Sequence, residues 1–404
     1  MSKLLPAAID TTLEGAVRLH SAFLNQEEGG QRLVLRFSCL DGVDLSGRNF
    51  SEADFTGTTF VDARLSRCDF SNADLTGTDL RRADLRSSIL KKTNLRGAIL
   101  VEADLSYADM TEADCTEDEQ ASTPKTVGVV TFRKKRRAVN ANMANFVGAK
   151  LDKARLSNAN ASSANFRDCS MRQCKLDKAK LNGSDFTGAN LENADLKGAS
   201  IVGTCFIDTI LTRASFGGKL PQEKMTLGAI FEADISNEAA INHLIAMVEN
   251  HQIWWHNSAR SGAVAVLDGF DIRLVPGLFR DKLLTAISAK GICGVGVDFE
   301  KSQLQGADFT NADLRSADFA HADLRGASFK HARLTNANFG NANLAALEVK
   351  PGIIKFADFT FAQLPYCNFD GADVSGAIFY DAAMEGATFV DAKTSGVKRG
   401  KAPK

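Results

Sequence analysis

Residues Gly306–Phe329 read GADFTNADLRSADFAHADLRGASF, and their large apolar residues Phe309, Leu314, Phe319, Leu324 and Phe329 recur every fifth position. An amphipathic helix repeats at about 3.6 residues and a half-buried strand at two, so neither accounts for the spacing. The same period runs through three blocks. The first has its large residue at Leu40, Leu45, Phe50, Phe55, Phe60, Leu65, Phe70, Leu75 and on to Met110. In the second the frame moves by one, to Phe146, Leu151, Leu156 and onward to Phe216, and the third runs from Phe299 to Phe389.

The residue two before each centre is small (Ala53, Ala73, Ala144, Ala154, Ala307, Ala317), and the one just before it is often Asp or Asn. A unit A(D/N)(L/F)xx makes sense as one side of a square coil. Four sides give a turn of roughly twenty residues, so residue n stacks on n+20. Stacked turns pair as parallel strands about 4.8 Å apart. The large and the small residue point inward, because a narrow tube filled by four large side chains per turn has no room for four more. Phe50 should then lie over Phe70 in a ring ladder.

This pattern resembles the pentapeptide-repeat family, and the resemblance implies an all-β solenoid, a right-handed quadrilateral β-helix. Arg48 at a small position and the stretch LEVKPGIIKF (347–356) depart from it and predict distorted corners. The repeat also explains the cysteines. Cys68, Cys169, Cys174 and Cys367 take the small inward position, where a thiol substitutes for Ala, and no CxxC pair suggests a metal.

A solenoid leaves unpaired backbone at its ends and needs caps. TTLEGAVRLHSAFL predicts a helix over 11–25 with Thr11 and Glu14 as a capping box and Leu13, Val17, His20 and Leu24 on its apolar stripe. A second helix is expected near Asn237–His256, with Ile241, Leu244, Ile245, Val248 and Trp255 on its face. His20-x-x-Phe23 before LDGVDL (40–45) matches His251-x-x-Trp254 before LDGFDI (267–272), which suggests a duplicated cap and coil. GLFRDKLLTAISAKG (277–291) reads either as a short helix or as irregular coils. The expected order is an N-terminal cap (1–36), block 1 (37–115), a charged loop (116–139), block 2 (140–216), a helical insertion or second cap (217–298), block 3 (299–392) and a basic disordered tail (393–404).

The 48 basic and 49 acidic residues argue against a whole-molecule electrostatic partner, though not against a local patch. No signal peptide or membrane span is evident, which predicts a cytoplasmic protein without membrane insertion. Catalysis needs convergent titratable groups, whereas these coils point their polar positions apart. Neither an enzyme, a small-molecule substrate, a cofactor nor a metal is expected.

Two readings remain. The first is a scaffold or adaptor that binds unidentified protein partners. The second is implied by the resemblance: a DNA mimic that binds DNA gyrase or topoisomerase, as quinolone-resistance members of the family do. A mimic needs a continuous acidic face. Arg64 interrupts the row Asp44, Asp84, Asp104, a belt of Arg81, Arg82, Arg86, Lys91, Lys92 and Arg96 wraps one turn, and block 2 is basic through Lys150, Lys153, Arg155, Lys175, Lys178 and Lys180. The scaffold reading is therefore preferred. Its candidate contact residues are the cationic run Arg133, Lys134, Lys135, Arg136 and Arg137, and Trp254 with Trp255. The cations Lys398, Arg399, Lys401 and Lys404 would repel across an end-to-end contact, which predicts a monomer or weak homodimer.

Overall fold

The computed structural model describes residues 6–120, 135–218, 221–258 and 260–402. Each five-residue unit is one side of a coil. The residue before the centre bridges in parallel to the residue twenty positions on, as in Asp54↔Asp74, Asp74↔Asn94 and Asp318↔Asn338. Each side gives two amides to the next coil, for example Phe319 N–H to the Asn338 carbonyl (2.7 Å) and His321 N–H to Gly340 (3.0 Å). The Asp or Asn of the unit turns the corner: Asp318 Oδ1 accepts the Ala320 N–H at 2.9 Å. The next residue takes a left-handed conformation, at φ +59° in His321. The frequent aspartates are thus corner devices. The outcome is a right-handed quadrilateral β-helix.

Inside, the rings stack coil upon coil. Phe50 lies 5.5 Å from Phe70, and Phe146, Phe166 and Phe186 follow at 4.8 and 4.7 Å. In the third block two columns run side by side. Phe299, Phe319 and Phe339 stack at 4.8 and 5.0 Å, and Phe319 meets Phe309 and Phe329 edge-on at 5.8 and 5.6 Å. Cys68, Cys169, Cys174 and Cys367 are buried in the small positions. Burial pushes the Cys68 thiol up to about 11.

The chain divides into two compact units, residues 1–232 and 233–404. In the first, the ladder passes straight from block 1 to block 2. Asp114 bridges Arg155, 41 positions on instead of 20, so the turn carries 21 extra residues. These leave the coil between two short antiparallel strands, β1 (Asp118–Gln120) and β2 (Lys135–Arg137). Twenty-one is four fives and one, which is the one-residue frame shift. The ladder then continues to Ile210↔Ile230.

In the second unit the first coil is longer. Val266↔Ser288 and Asp271↔Cys293 are 22 apart, the surplus being taken up beside a 3-10 turn at Ile272–Leu274. Residues 277–291 are coil, with Phe279, Leu284 and Ala289 in the core. Farther on, Ser328 bridges Asp358, 30 positions on, so ten residues are extra. They form a hairpin of β3 (Leu347–Lys350) and β4 (Ile353–Lys355), where the sequence predicts distorted corners. Residues 393–402 are a coil and not the expected disordered tail. Lys393 bridges Asp373, and β5 (Ile378–Tyr380) pairs in parallel with β6 (Lys398–Gly400). Arg399 stands at a centre position and lies over the last inward ring, Phe389, at 5.3 Å.

A helix precedes the first coil of each unit: α1 (Pro6–Leu24) and α2 (Glu238–His256). α1 begins at Pro6, so Thr11 lies within the helix and not at the N-cap that the sequence predicts. Glu14 instead accepts from Arg48 Nη2 at 2.7 Å, which explains an Arg at a small position of the first coil. The α2 N-cap is Asn237, whose side chain accepts the Ala240 N–H.

The two caps share one device. His20 and His251 are fully buried. His20 Nδ1 accepts the Leu33 N–H at 3.1 Å, and His251 Nδ1 accepts the Ala265 N–H at 3.2 Å. The rings stack on Phe23 (5.9 Å) and Trp254 (5.4 Å). Gly30 and Gly262 each come so close to the helix backbone that an added Cβ would stand 2.4 Å from Phe23 N and Asn250 O respectively. The duplicated pair is therefore Leu33–Leu35 with Ala265–Leu267, one side away from the LDGVDL/LDGFDI match that the sequence suggests.

Candidate interaction surfaces

Arg133 and Lys134 fall outside the described residues. Lys135, Arg136 and Arg137 form β2, opposite Gln120, Glu119 and Asp118 of β1. The hairpin turns back over Gly97, where an added Cβ would meet the Asp118 Cβ at 2.9 Å and the Arg137 carbonyl at 3.4 Å. Arg96 ties it down through Asp118 Oδ1 (3.5 Å) and the Glu117 carbonyl (3.3 Å). The tryptophans belong to the other unit. The buried residues of α2 are Leu244, Val248 and His251; Trp255 continues their spacing into the last turn of the helix, where it is 42% exposed. Trp254 is half-buried against His251, its ring 6.3 Å from that of Trp255.

A surface that the sequence analysis missed is the β3–β4 hairpin. It lies over Gly326 as β1–β2 lies over Gly97, with the Leu347 Cβ 3.0 Å from where a Cβ would stand. Lys355 Nζ donates to the Gly306 carbonyl at 3.1 Å. Val349, Ile353 and Ile354 are about half exposed. The sequence signal was present as an apolar VKPGII turn inside an otherwise regular frame.

The carboxylates around the basic belt are paired with its cations. Asp44, Arg64, Asp84 and Asp104 are successive rungs of one ladder. All six cations of the belt pair: Arg81 with Asp79 (2.6 Å), Arg82 with Asp62 (2.6 Å), Arg86 with Asp84 (2.7 Å), Lys91 with Asp109 (3.2 Å), Lys92 with Glu112 (3.9 Å) and Arg96 with Asp118 (3.5 Å). The Arg86 guanidinium holds the Asp84 carboxyl below its ordinary range, and Arg82 does the same for Asp62. By unit, the sequence holds 31 basic and 30 acidic residues in 1–232, and 17 and 19 in 233–404. Neither unit is a polyanion.

Among the described residues, no cluster of His, Cys, Asp and Glu could hold a metal ion. His331 stacks on Phe361 at 5.0 Å. A cavity of about 760 Å³ opens where the chain leaves the ladder in the last coil of the first unit, lined by Ile201, Val202, Pro221, Met225, Thr204 and Lys224 among others. Thr204 already gives its hydroxyl to the Leu181 carbonyl, and no acid–base pair faces the space. No described helix is long and apolar enough to cross a membrane.

Comparison with known proteins agrees with the coil geometry. A trypsin-treated QnrB1, described as a plasmid-mediated fluoroquinolone resistance protein, is 21% identical over 52% of this chain and 97% of its own, with a TM-score of 0.31. HetL, described as involved in heterocyst differentiation regulation in the cyanobacterium Nostoc sp., is 18% identical over 93% of this chain and 95% of its own, with a TM-score of 0.19. Rfr23 from the cyanobacterium Cyanothece is 21% identical over 46% of this chain and 95% of its own, with a TM-score of 0.15. At these identities and TM-scores none of them carries an argument about function. No curated protein matches the chain. The model of the pentapeptide repeats matches eight times, over residues 38–77, 49–86, 78–114, 142–177, 174–213, 295–330, 312–346 and 355–392. With its repeats matched over more than half its length and its coils built from them, the chain belongs to the pentapeptide-repeat family.

Proposed function

We propose that the protein is a non-catalytic cytoplasmic scaffold or adaptor, which binds protein partners through the elements that project from its coils. The observation that carries this reading is the pair of hairpins. Twenty-one and ten residues leave the ladder without disturbing a single inward position on either side. The β3–β4 hairpin adds no buried residue to the core and keeps Val349, Ile353 and Ile354 in water. Arg133–Arg137 and the exposed Trp255 are further contact candidates. The alternative, a DNA mimic bound to DNA gyrase, needs a continuous acidic face, and the paired rows argue against one. Cations over the final coil favour a monomer or weak homodimer.

The ladder supplies the test. Deleting residues 117–137, or 346–355, restores the 20-residue turn at each site. Both variants should melt as the parent does, yet one or both should lose proteins that the full chain retains when purified from its native host. Two folded variants that capture the full set would refute the reading.

A further inference from the structure

The second half of the first unit gathers exposed cations without an ion pair. Between residues 140 and 200 there are nine basic and six acidic residues. Arg155 and Lys175 are successive rungs of one ladder, and each is held by a carboxylate, Asp114 at 3.2 Å and Asp195 at 3.8 Å. Around them stand five exposed lysines, Lys150, Lys153, Lys178, Lys180 and Lys197, that form no ion pair among the described residues. Lys153 stands at one corner of this side, and Lys150 is a rung of the preceding side, between Asp109 and Ser170. Lys178 and Lys197 occupy the opposite corner in successive coils, their Cγ atoms each 3.6 Å from where a Cβ would stand on Gly198 and Gly217. Lys180 follows on the next side, as the rung between Asn160 and Ser200. The nearby carboxylates are otherwise engaged: Asp152 with Arg172 at 2.7 Å, and Asp177 with the Ser157 hydroxyl. The described strands β1 and β2 fold over Gly97, on the N-terminal side of this ridge.

We infer that this ridge docks the phosphate backbone of duplex nucleic acid, without reading its sequence. The unpaired cations are all lysines, point charges suited to phosphate. None is the Arg fork that grips a carboxylate in two places. Asn158 and Asn160, one coil before Lys178 and Lys180, are neutral groups that add phosphate contacts. Single strands are held by stacking on aromatic rings, but the aromatic residues of this stretch, Phe146, Phe166 and Phe186, are wholly buried. A bilayer is flat and favours apolar groups beside the cations. Here the lysines wrap two corners and have no exposed aromatic or long apolar anchor between them. One side of the coil, roughly 10 Å wide from its short extended run, fits between the phosphate rows that border a major groove.

The test is fluorescence anisotropy with the full chain and a short labelled duplex of arbitrary sequence, between about 50 and 200 mM salt. Contacts from all five lysines predict a slope of log K against log salt of about −4.5, from 0.9 per phosphate. The triple substitution Lys153→Gln, Lys178→Gln, Lys180→Gln should reduce that slope by about 2.7 and weaken binding more than tenfold at low salt. Arg82→Gln, at a cation already paired with Asp62, should leave both unchanged. An unchanged melting temperature in the triple variant would show that the loss is not misfolding. No duplex binding at low salt, an unchanged slope in the triple variant, or tighter binding to a single strand, polyglutamate or anionic vesicles would each overturn the inference. Because the deletion of 117–137 leaves the ridge intact, it should still bind duplex. Failure here would thus be distinct from failure of the protein-partner reading.

Discussion

Phe319→Asp should leave the second unit unfolded or aggregated while the first still unfolds cooperatively. Phe319 is wholly buried, stacked between Phe299 and Phe339 and met edge-on by Phe309 and Phe329. Truncating such a ring to Ala already costs about 3–5 kcal/mol. Aspartate adds either an unpaired buried charge or the cost of protonating it, several kcal/mol more. The sum approaches the entire stability of a domain, about 5–15 kcal/mol. Thr310→Lys, on the outside of the same coils, gives up only hydroxyl contacts with Asp308 and Ser328, worth about 1 kcal/mol. Calorimetry of the three proteins reads the contrast. A Phe319→Asp protein that keeps the parental transitions would remove the inward assignment of that frame.

Mild acid should release both caps. His20 and His251 are held neutral. Burial lowers both, opposed at His20 by the Ser51 carbonyl and Glu52 but reinforced by Arg32. Protonation would also place an N–H at Nδ1, facing the Leu33 or Ala265 N–H that it now accepts. Since the folded value lies below the unfolded one, each ring's contribution is present in full above pH of about 6.5 and lost as pH falls toward the folded value. The slope is at most about 1.4 kcal/mol per pH unit for each ring. The lowered carboxylates, such as Asp84 and Asp308, lose theirs in a lower window, below the ordinary carboxylate range, so the two effects separate. Melting between pH 7.5 and 5, in the parent and in His20→Leu, His251→Leu, is the measurement. The double variant should be weaker at neutral pH by about 1–3 kcal/mol for each unpaired N–H, and flat across that window. A parent that melts identically at both ends would refute the latch.

The coil was legible in the sequence because its period is strict and each position has one task. The large residue fills the tube, the small one makes room, and Asp or Asn turns the corner. The insertions were legible only through their remainders. Twenty-one extra residues shift the frame by one and show at Phe146. Ten extra residues are two full units and leave Phe359 in step with Phe329, so β3–β4 reads as a mere loosening. Arg399 was mistaken for part of a tail because an Arg at a centre position carries no apolar signal until Phe389 lies beneath it. Trp255 keeps the phase of Leu244, Val248 and His251, but it stands in the last turn of α2, and the helical period alone does not say where along the helix burial ends. The lysine ridge was visible as composition, but that its charges lack partners depends on residues twenty positions away.

If the chain holds two separately capped solenoids, limited proteolysis of the full protein, with mass analysis of the products, will part them. Cleavage should fall between about residues 217 and 237, where the first ladder ends and before α2 begins. It should yield a C-terminal fragment that begins ahead of Glu238 and resists further digestion, with α2 still covering its first coil. Complete loss of that fragment while the N-terminal half persists would contradict the account.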